Sequence, residues 1–341
     1  MNLHQFRFVQ EAVKRNLNLT ETAQALHTSQ PGVSKAIIEL EEELGIEIFA
    51  RHGKRLKRVT EPGTHVLKSI DLILREVGNL RRIGDQYSKQ DSGTLSIATT
   101  HTQARYVLPP SVAKLREAFP KVNVSLHQGS PDQVAKMLLD EVAEIGIATE
   151  SLVNYPDLIA LPCYEWQHML VVPLGHPLAS KADITLADVA LEPLITYHPS
   201  FTGRTKINQA FAAAHLEPRI ALEAIDSDVI KTYVRLGLGV GIIAEMAIKD
   251  DGTNGDLIAL PGGGLFGVNV ARVAFKRSAY LRNFVYTFAE LVSSDLTRGS
   301  IEKAMSGHPG NFCTPAPTNR PLSTFIDFYR PLPTFAHEHC P

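Results

Sequence analysis

Leu3, Phe6, Val9 and Val13 stand three and four residues apart, the period that gathers side chains on one face of a helix. A shorter apolar stretch, Leu19–Leu26, follows. Thr20 is placed to cap it, and Ala23 is small enough for a neighbouring helix to approach. His27-Thr28-Ser29 breaks the pattern as a turn. Ser29 then caps a third helix, which tolerates Pro31 in its first turn and runs along Val33, Ile37, Leu40 and Leu44 to a left-handed stop at Gly45. Glu47–Arg51 and Leu56–Val59 alternate in polarity and predict a two-stranded ribbon. Helix, short helix, turn, helix and ribbon make a winged helix-turn-helix. The apolar stripes alone also allow an ordinary helical hairpin inside a core.

From Thr60 the pattern lengthens. Thr60 can cap and Pro62 can begin a helix whose stripe is Val66, Leu67, Ile70, Ile73, Leu74, Val77 and Leu80. Such a helix either joins the core of one domain or pairs with its twin from a second chain. Gln86–Gly93 is polar and punctuated, which predicts a hinge. Strands are expected at 94–98, 122–127 and 145–149, with helices at 105–118 and 130–142 between them. This alternation predicts a largely parallel sheet covered by helices. A second unit begins near Cys163, with strands at 169–172, 194–197 and 241–244 and helices at 186–189, 204–215 and 229–236. A strand at 271–275 leads back, and a helix at 280–291 closes the unit. The expected class is α/β, with a head over 1–59, a linker helix and hinge over 60–91 and a two-lobed domain over 92–295. Lobe I takes about 92–162 and 266–295, and lobe II about 163–265. Residues 296–341 are expected to form an irregular extension, because seven of the 21 prolines fall between 309 and 341.

Composition bounds the partners. At roughly 100–200 residues per domain, 341 residues allow two or three domains. No run reaches the roughly 18 apolar residues of a membrane span. Met1–Arg7 lacks the apolar core of a signal peptide, and Cys163, Cys313 and Cys340 are few and far apart, so a reducing cytoplasm is expected. A net charge of −2 disfavours nucleic acid on its face. The distribution reverses that reading. Residues 1–90 hold 14 basic against 11 acidic residues, and five of the eight positions from Arg51 to Arg58 are basic. That run is a solvated loop or, at the tip of a ribbon, a phosphate contact through Lys54 and Arg55. The third helix carries Gln30, Ser34 and Lys35 near its N-terminus, short or polar groups able to reach base edges in a major groove.

The string from Thr20 to Arg51, TETAQALHTSQPGVSKAIIELEEELGIEIFAR, resembles the DNA-binding signature of LysR-type transcriptional regulators. Ala23, Ser29, Gln30, Pro31, Ser34, Leu40, Glu41, Leu44, Gly45 and Phe49 follow that signature without a gap, and Lys35 stands where many members have arginine. The resemblance implies DNA contacts from Thr28, Ser29, Gln30, Pro31, Ser34, Lys35, Arg51, Lys54 and Arg55. It also implies dimerisation through the linker helix, a homotetramer built as a dimer of dimers, RNA polymerase as a partner and no enzymatic activity.

Two α/β lobes joined by crossing strands resemble periplasmic binding proteins, which take a ligand between their lobes. In open α/β sheets ligands bind beyond the carboxyl ends of strands. Thr99–Gln103, Thr149 and Thr202–Arg204 occupy such ends and helix starts. Neutral donors at these places suit a small anion or carboxylate, although any single threonine is also an ordinary helix cap. The strings TTHTQARYVLP, GIATE and YHPSFTGR resemble the CysB-type members, regulators of sulfur assimilation and cysteine biosynthesis. This second resemblance implies effector contacts from Thr100, Thr102, Gln103, Thr149 and Thr202, with Trp166 nearby. The implied effectors are acetylserine, sulfate or thiosulfate, with no cofactor. A sister group, the Cbl-type regulators of alkanesulfonate or taurine use, shares most of these strings. A solute-binding protein or an enzyme on the same fold are the remaining alternatives.

Other signals carry less. Gly237–Gly241 follows a helix and precedes a strand, the reverse of a dinucleotide loop. His337-Glu338-His339-Cys340 lies in the Pro-rich end and is expected to hold no functional metal. His101 is either a structural histidine or a cleft donor, and Cys163 is expected in the core. No nucleophile elbow or spaced carboxylate pair is present.

Overall fold

The computed structural model describes residues 1–53, 55–88, 92–248 and 255–307, apart from the side chains of Glu150 and Thr202. The chain divides into two compact units, Met1–Ser88 and the residues from Lys89 onward.

In the first unit, α1 (Leu3–Lys14) is capped by Asn2. The next helix, α2 (Leu19–Ala25), is capped by Asn18 and not by Thr20. The Asn18 side chain accepts from the N–H groups of Thr20 and Glu21, and Leu19 is already helical, with its side chain in the core. Along α3 (Gln30–Leu44), Ser29 accepts from the Gly32 N–H, Pro31 occupies the first turn, and Gly45 ends the helix at φ 68°. Strands β1 (Phe49–His52) and β2 (Arg55–Val59) pair antiparallel, with Phe49 opposite Val59. The long α4 (Glu61–Ser88) starts at Thr60, whose Oγ1 accepts from the Gly63 N–H at 2.9 Å. Gly63 is required there, since a Cβ would lie 2.1 Å from the Ile48 carbonyl oxygen. Phe6, Val9, Val33, Ile37, Leu40, Phe49, Leu56 and Ile70 form one core, with Val66, Leu67 and Leu74 of α4 packed on it. Leu72, Ile73 and Leu80 of the same helix remain exposed in this chain. Helix α4 persists through Ser88, so the expected hinge does not begin at Gln86; residues 89–91 lie outside the described residues.

The second unit opens with β3 (Ser92–Thr99), α5 (His101–Tyr106) and α6 (Pro109–Ala118). The single helix expected over 105–118 is therefore two. Pro109 and Pro110 can start a helix but not continue one, because they lack the N–H that would bond back to the preceding turn; Leu108 before them keeps helical backbone. Next come β4 (Lys121–Gln128), α7 (Pro131–Leu139) and β5 (Ile145–Ala148), and β3 pairs in parallel with both β4 and β5. The sixteen-residue β6 (Leu158–Pro173) was anticipated only over 169–172. The remaining elements are α8 (Leu186–Ala190), β7 (Leu194–Tyr197), α9 (Thr202–Ala213), β8 (Ile220–Ala224), α10 (Ser227–Arg235), β9 (Val240–Ala244) and β10 (Leu257–Pro261). They end with α11 (Gly263–Phe266), β11 (Val268–Lys276), α12 (Asn283–Val292) and α13 (Arg298–Ser306).

The strand order is β4-β3-β5-β11-β6-β9-β7-β8, with β10 also on β6. Through Gln167, β6 pairs with β11; from His168 it pairs with β9, and β10 joins from Met169. The lobes therefore change hands at 167/168, later than the expected 163, because one uninterrupted strand serves both. Strands β8 and β10, short and only partly buried, were not anticipated. The irregular extension expected from 296 instead contains α13, which Thr297 caps and whose Ile301 is fully buried in the lobe I core beside Phe288 and Val292. From residue 308 on, the Pro-rich stretch and its His337–Cys340 cluster lie outside the described residues. Cys163 is buried as expected, and Gly237–Gly239 lie between α10 and β9.

Candidate functional site

The first unit presents one polar face built on α3. Val33, Ile37 and Leu40 bury one side of this helix. Gln30 and Ser34, one turn apart, are half-buried, while Thr28, Ser29, Pro31 and Lys35 are exposed. Lys35 is engaged only loosely, 3.6 Å from the Glu39 carboxylate. On the ribbon, Leu56 is buried and anchors β2, which leaves Arg55, Lys57 and Arg58 exposed. Lys57 and Arg58 were part of the basic run but not among the expected contacts. Lys54, which was expected to contact DNA, lies outside the described residues.

Arg51, also expected to contact DNA, is engaged within the first unit. Its Nη2 lies 2.6 Å from Glu41 Oε2, and the other oxygen of that buried carboxylate accepts from the N–H groups of Ile48 and Phe49 at 2.8 and 3.0 Å. Glu41 thus ties α3 to the start of the ribbon, and Arg51 completes the tie.

In the second unit a cleft lies between the lobes. Thr100, Thr102, Gln103, Thr149 and Trp166 line it together with Tyr197, Phe201, Gly203, Ala244 and Met246, around a space of about 390 Å³ that includes its open mouth. The five expected residues come from the ends of β3 and β5, from α5 and from β6. Thr202 opens α9 between Phe201 and Gly203, both at the cleft; its side chain lies outside the described residues. Gly203 lies in the expected segment Thr202–Arg204; Tyr197, Phe201, Ala244 and Met246 were missed, although YHPSFTGR contains two of them.

The hydroxyls are not ordinary caps. Thr100 occupies the N-cap position of α5 in extended backbone, yet its side chain makes no capping bond. Thr149 precedes a short 3₁₀ turn, likewise without a side-chain cap. Tyr164 Oη donates to Gln103 Oε1, which leaves the Gln103 amide N–H groups for the cleft. Trp166, 5 % exposed, keeps its Nε1–H without a partner among the described residues. An unpaired buried donor costs about 1–3 kcal/mol, so a ligand that accepts from it recovers that loss.

No lining residue carries a formal charge. Burial pushes the Tyr197 phenol up to about 12, so it stays protonated; it bonds to Ser227 Oγ at 2.7 Å and accepts from the Ala244 N–H at 2.8 Å. Behind the cleft, burial first and Lys206 second lower His168 to about 3, so the ring is neutral. Its Nδ1 meets the Asn269 amide at 3.3 Å. Arg204 is turned away from the ligand role, bound to Glu223 at 2.8 Å, to the Tyr197 carbonyl and to Asn208. Neutral donors beside the N-terminus of the twelve-residue α9 make a setting that suits an anion. Gly203 lets that N-terminus pack close to His168 and Trp166. A Cβ there would lie 3.0 Å from His168 Nε2 and 3.4 Å from the Trp166 ring. Gly203→Ala is expected to shift the first turn of α9 and weaken effector binding about threefold to tenfold, checked by calorimetric titration.

Residues 3–64 match the family model for the bacterial regulatory helix-turn-helix protein of the lysR family, and residues 88–297 match the LysR substrate binding domain. The chain belongs to the LysR family of transcriptional regulators. As a LysR-family regulator it is a DNA-binding protein and not an enzyme. It is 57% identical to the HTH-type transcriptional regulator CysB of Burkholderia cenocepacia over 92% of this chain and 99% of that one. The HTH-type transcriptional regulator SsuR of the same organism is 49% identical over 88% and 97%. Among solved structures, the cofactor-binding domain of the Cbl transcriptional regulator superposes with a TM-score of 0.61 at 45% identity, covering 64% of this chain and 96% of that one. These likenesses place the chain with the CysB-type members of the family and their Cbl-type sister group.

Proposed function

We propose that this LysR-family regulator acts in the cytoplasm on genes of sulfur assimilation and cysteine biosynthesis, under a small effector bound between the lobes. Sulfate, thiosulfate and acetylserine fit the chemistry of the cleft, which offers neutral donors and no lining charge. The carrying observation is Thr100, a buried N-cap threonine whose hydroxyl is not used to cap its helix and faces that cleft. The greater likeness to CysB than to SsuR favours cysteine genes over a second reading, a Cbl-type regulator of alkanesulfonate or taurine use.

On DNA, α3 enters the major groove with Gln30, Ser34 and Lys35 toward base edges. Thr28, Ser29 and Pro31 border the phosphates, and Arg55 on the wing contacts a phosphate, as Lys54 is expected to do. Exposed Leu72, Ile73 and Leu80 on α4 pair with a second copy, and two such dimers make the tetramer. RNA polymerase receives the signal when effector changes the lobe arrangement.

A gel-shift with the gene's own upstream DNA, with and without sulfate, thiosulfate, acetylserine and taurine, tests this reading. Sensitivity to taurine alone favours the second. Gln30→Ala is expected to lower operator affinity about tenfold and relax selectivity at the bases it faces. Equal loss on unrelated DNA would remove it from the readout. Arg55→Ala should weaken all sequences alike and reduce the slope of log affinity against log salt by about 1, as one phosphate contact requires.

A further inference from the structure

Helix α5 has two ends with different company. Its start brings Thr100, Thr102 and Gln103 to the cleft, and its last residues, Arg105 and Tyr106, reach across to lobe II. The Tyr106 ring packs against the apolar clusters of both lobes. Its hydroxyl donates to Asp228 Oδ1 at 2.5 Å and accepts from Lys231 Nζ at 3.0 Å. Arg105 Nε lies 2.8 Å from the other oxygen of Asp228. Lys231 is 2 % exposed; its ammonium also donates to the Ala247 carbonyl at 3.0 Å and stands 3.3 Å from Asp228. A buried ammonium is costly unless it is paired and hydrogen-bonded. Tyr106 is the one partner it takes from lobe I among these three, so separating the lobes strips a bond from a buried charge.

We propose that Tyr106, Asp228 and Lys231 form an interlobe latch that sets the separation of the lobes and so positions the two walls of the cleft. Asp228 and Lys231 sit on α10. Ser227, beside Asp228, bonds Oη of Tyr197, a residue of the cleft lining. On the lobe I side, Thr102, Gln103 and Tyr106 share α5, so the latch is joined to both cleft walls within one helical turn. These are positioning residues, since none of the three lines the cleft. A ligand that needs Thr100 and Gln103 on one side and Gly203 on the other binds only when the lobes are together. Its affinity falls by the fraction of molecules in which they are apart.

The proposal rests on the cleft as effector site, and the test separates the two. Tyr106→Phe keeps the ring and removes only the hydroxyl; Lys231→Met is the second variant. Spin labels on cysteines placed at the exposed positions Lys136 of lobe I and Gln209 of lobe II, with Cys313 and Cys340 replaced by Ser, report the interlobe distance in the full-length, unliganded protein. Either variant is expected to lengthen and broaden that distribution and to weaken sulfate or acetylserine binding roughly fivefold to thirtyfold, with little change in Tm for Tyr106→Phe. An unchanged distribution in both variants overturns the latch, whatever the ligand does. A changed distribution with unchanged affinity for a ligand that Thr100→Val does weaken overturns its coupling to the cleft. Where Thr100→Val weakens neither ligand, the effector reading fails and the distances alone decide the latch.

Discussion

Glu41→Ala is expected to abolish specific DNA binding and to destabilise the first unit by about 2–4 kcal/mol. The Glu41 carboxylate is 8 % exposed and serves three donors: the N–H groups of Ile48 and Phe49 and the Arg51 guanidinium. Both amides belong to fully buried residues at the entry to the ribbon. Without the carboxylate they lose their acceptor where water does not reach, and Arg51 loses its counter-ion. The ribbon then loosens from α3, and the exposed Arg55, Lys57 and Arg58 lose their fixed distance from Gln30 and Ser34. Hydrogen exchange at the Ile48 and Phe49 amides, measured beside operator affinity at fixed salt, checks this. Arg55→Ala lowers affinity without faster exchange, whereas Glu41→Ala changes both. Unchanged exchange in Glu41→Ala would show that the tie is dispensable. Glu41→Gln, which retains one acceptor, should fall between.

Thr100→Val is expected to weaken effector binding about tenfold to a hundredfold with little effect on stability. The hydroxyl makes no cap bond to α5, so its removal costs the folded state little. In the proposed complex it donates to an anion, an interaction stronger than one between neutral groups. The valine side chain keeps the shape of the wall. Calorimetric titration with sulfate, thiosulfate and acetylserine reads the change, and unaltered affinity for all three would remove Thr100 from the site. The contrast with Ser29 explains the difference in expected stability: Ser29 Oγ accepts from the Gly32 N–H at 3.3 Å, so its replacement also loosens α3.

Legibility followed the range of the interactions. The elements of the first unit were readable because a three-and-four period, a cap and a glycine stop are each decided within a few residues, as along Val33, Ile37, Leu40 and Gly45. Errors were also local where two signals competed. Thr20 lost to Asn18 because both residues can cap and only the burial of Leu19 chooses between them. Pro109 and Pro110 split one expected helix into two. Much of the cleft was readable because strand ends and helix starts point to it in such a sheet, which reaches Thr100, Thr102, Gln103 and Thr149; Trp166, within β6, came only with the family resemblance. The lobe II wall was less readable. Phe201, Ala244 and Met246 are apolar and carry no chemical signature until the lobes face one another, and the Tyr197 hydroxyl is committed to Ser227 and the Ala244 N–H.

The helix-turn-helix, the long amphipathic α4, the alternating α/β order and the family are legible along the chain, since all of these rest on local periodicity or on contiguous strings. Which groups are already engaged follows from the folded arrangement. It bound Arg51 to Glu41, released the Thr100 hydroxyl from capping, and carried β6 through both lobes as one strand. It also brought Tyr106 to Asp228, residues 122 positions apart. Such pairings depend on sheet register and on the packing of one lobe against the other, which no window of neighbouring residues specifies.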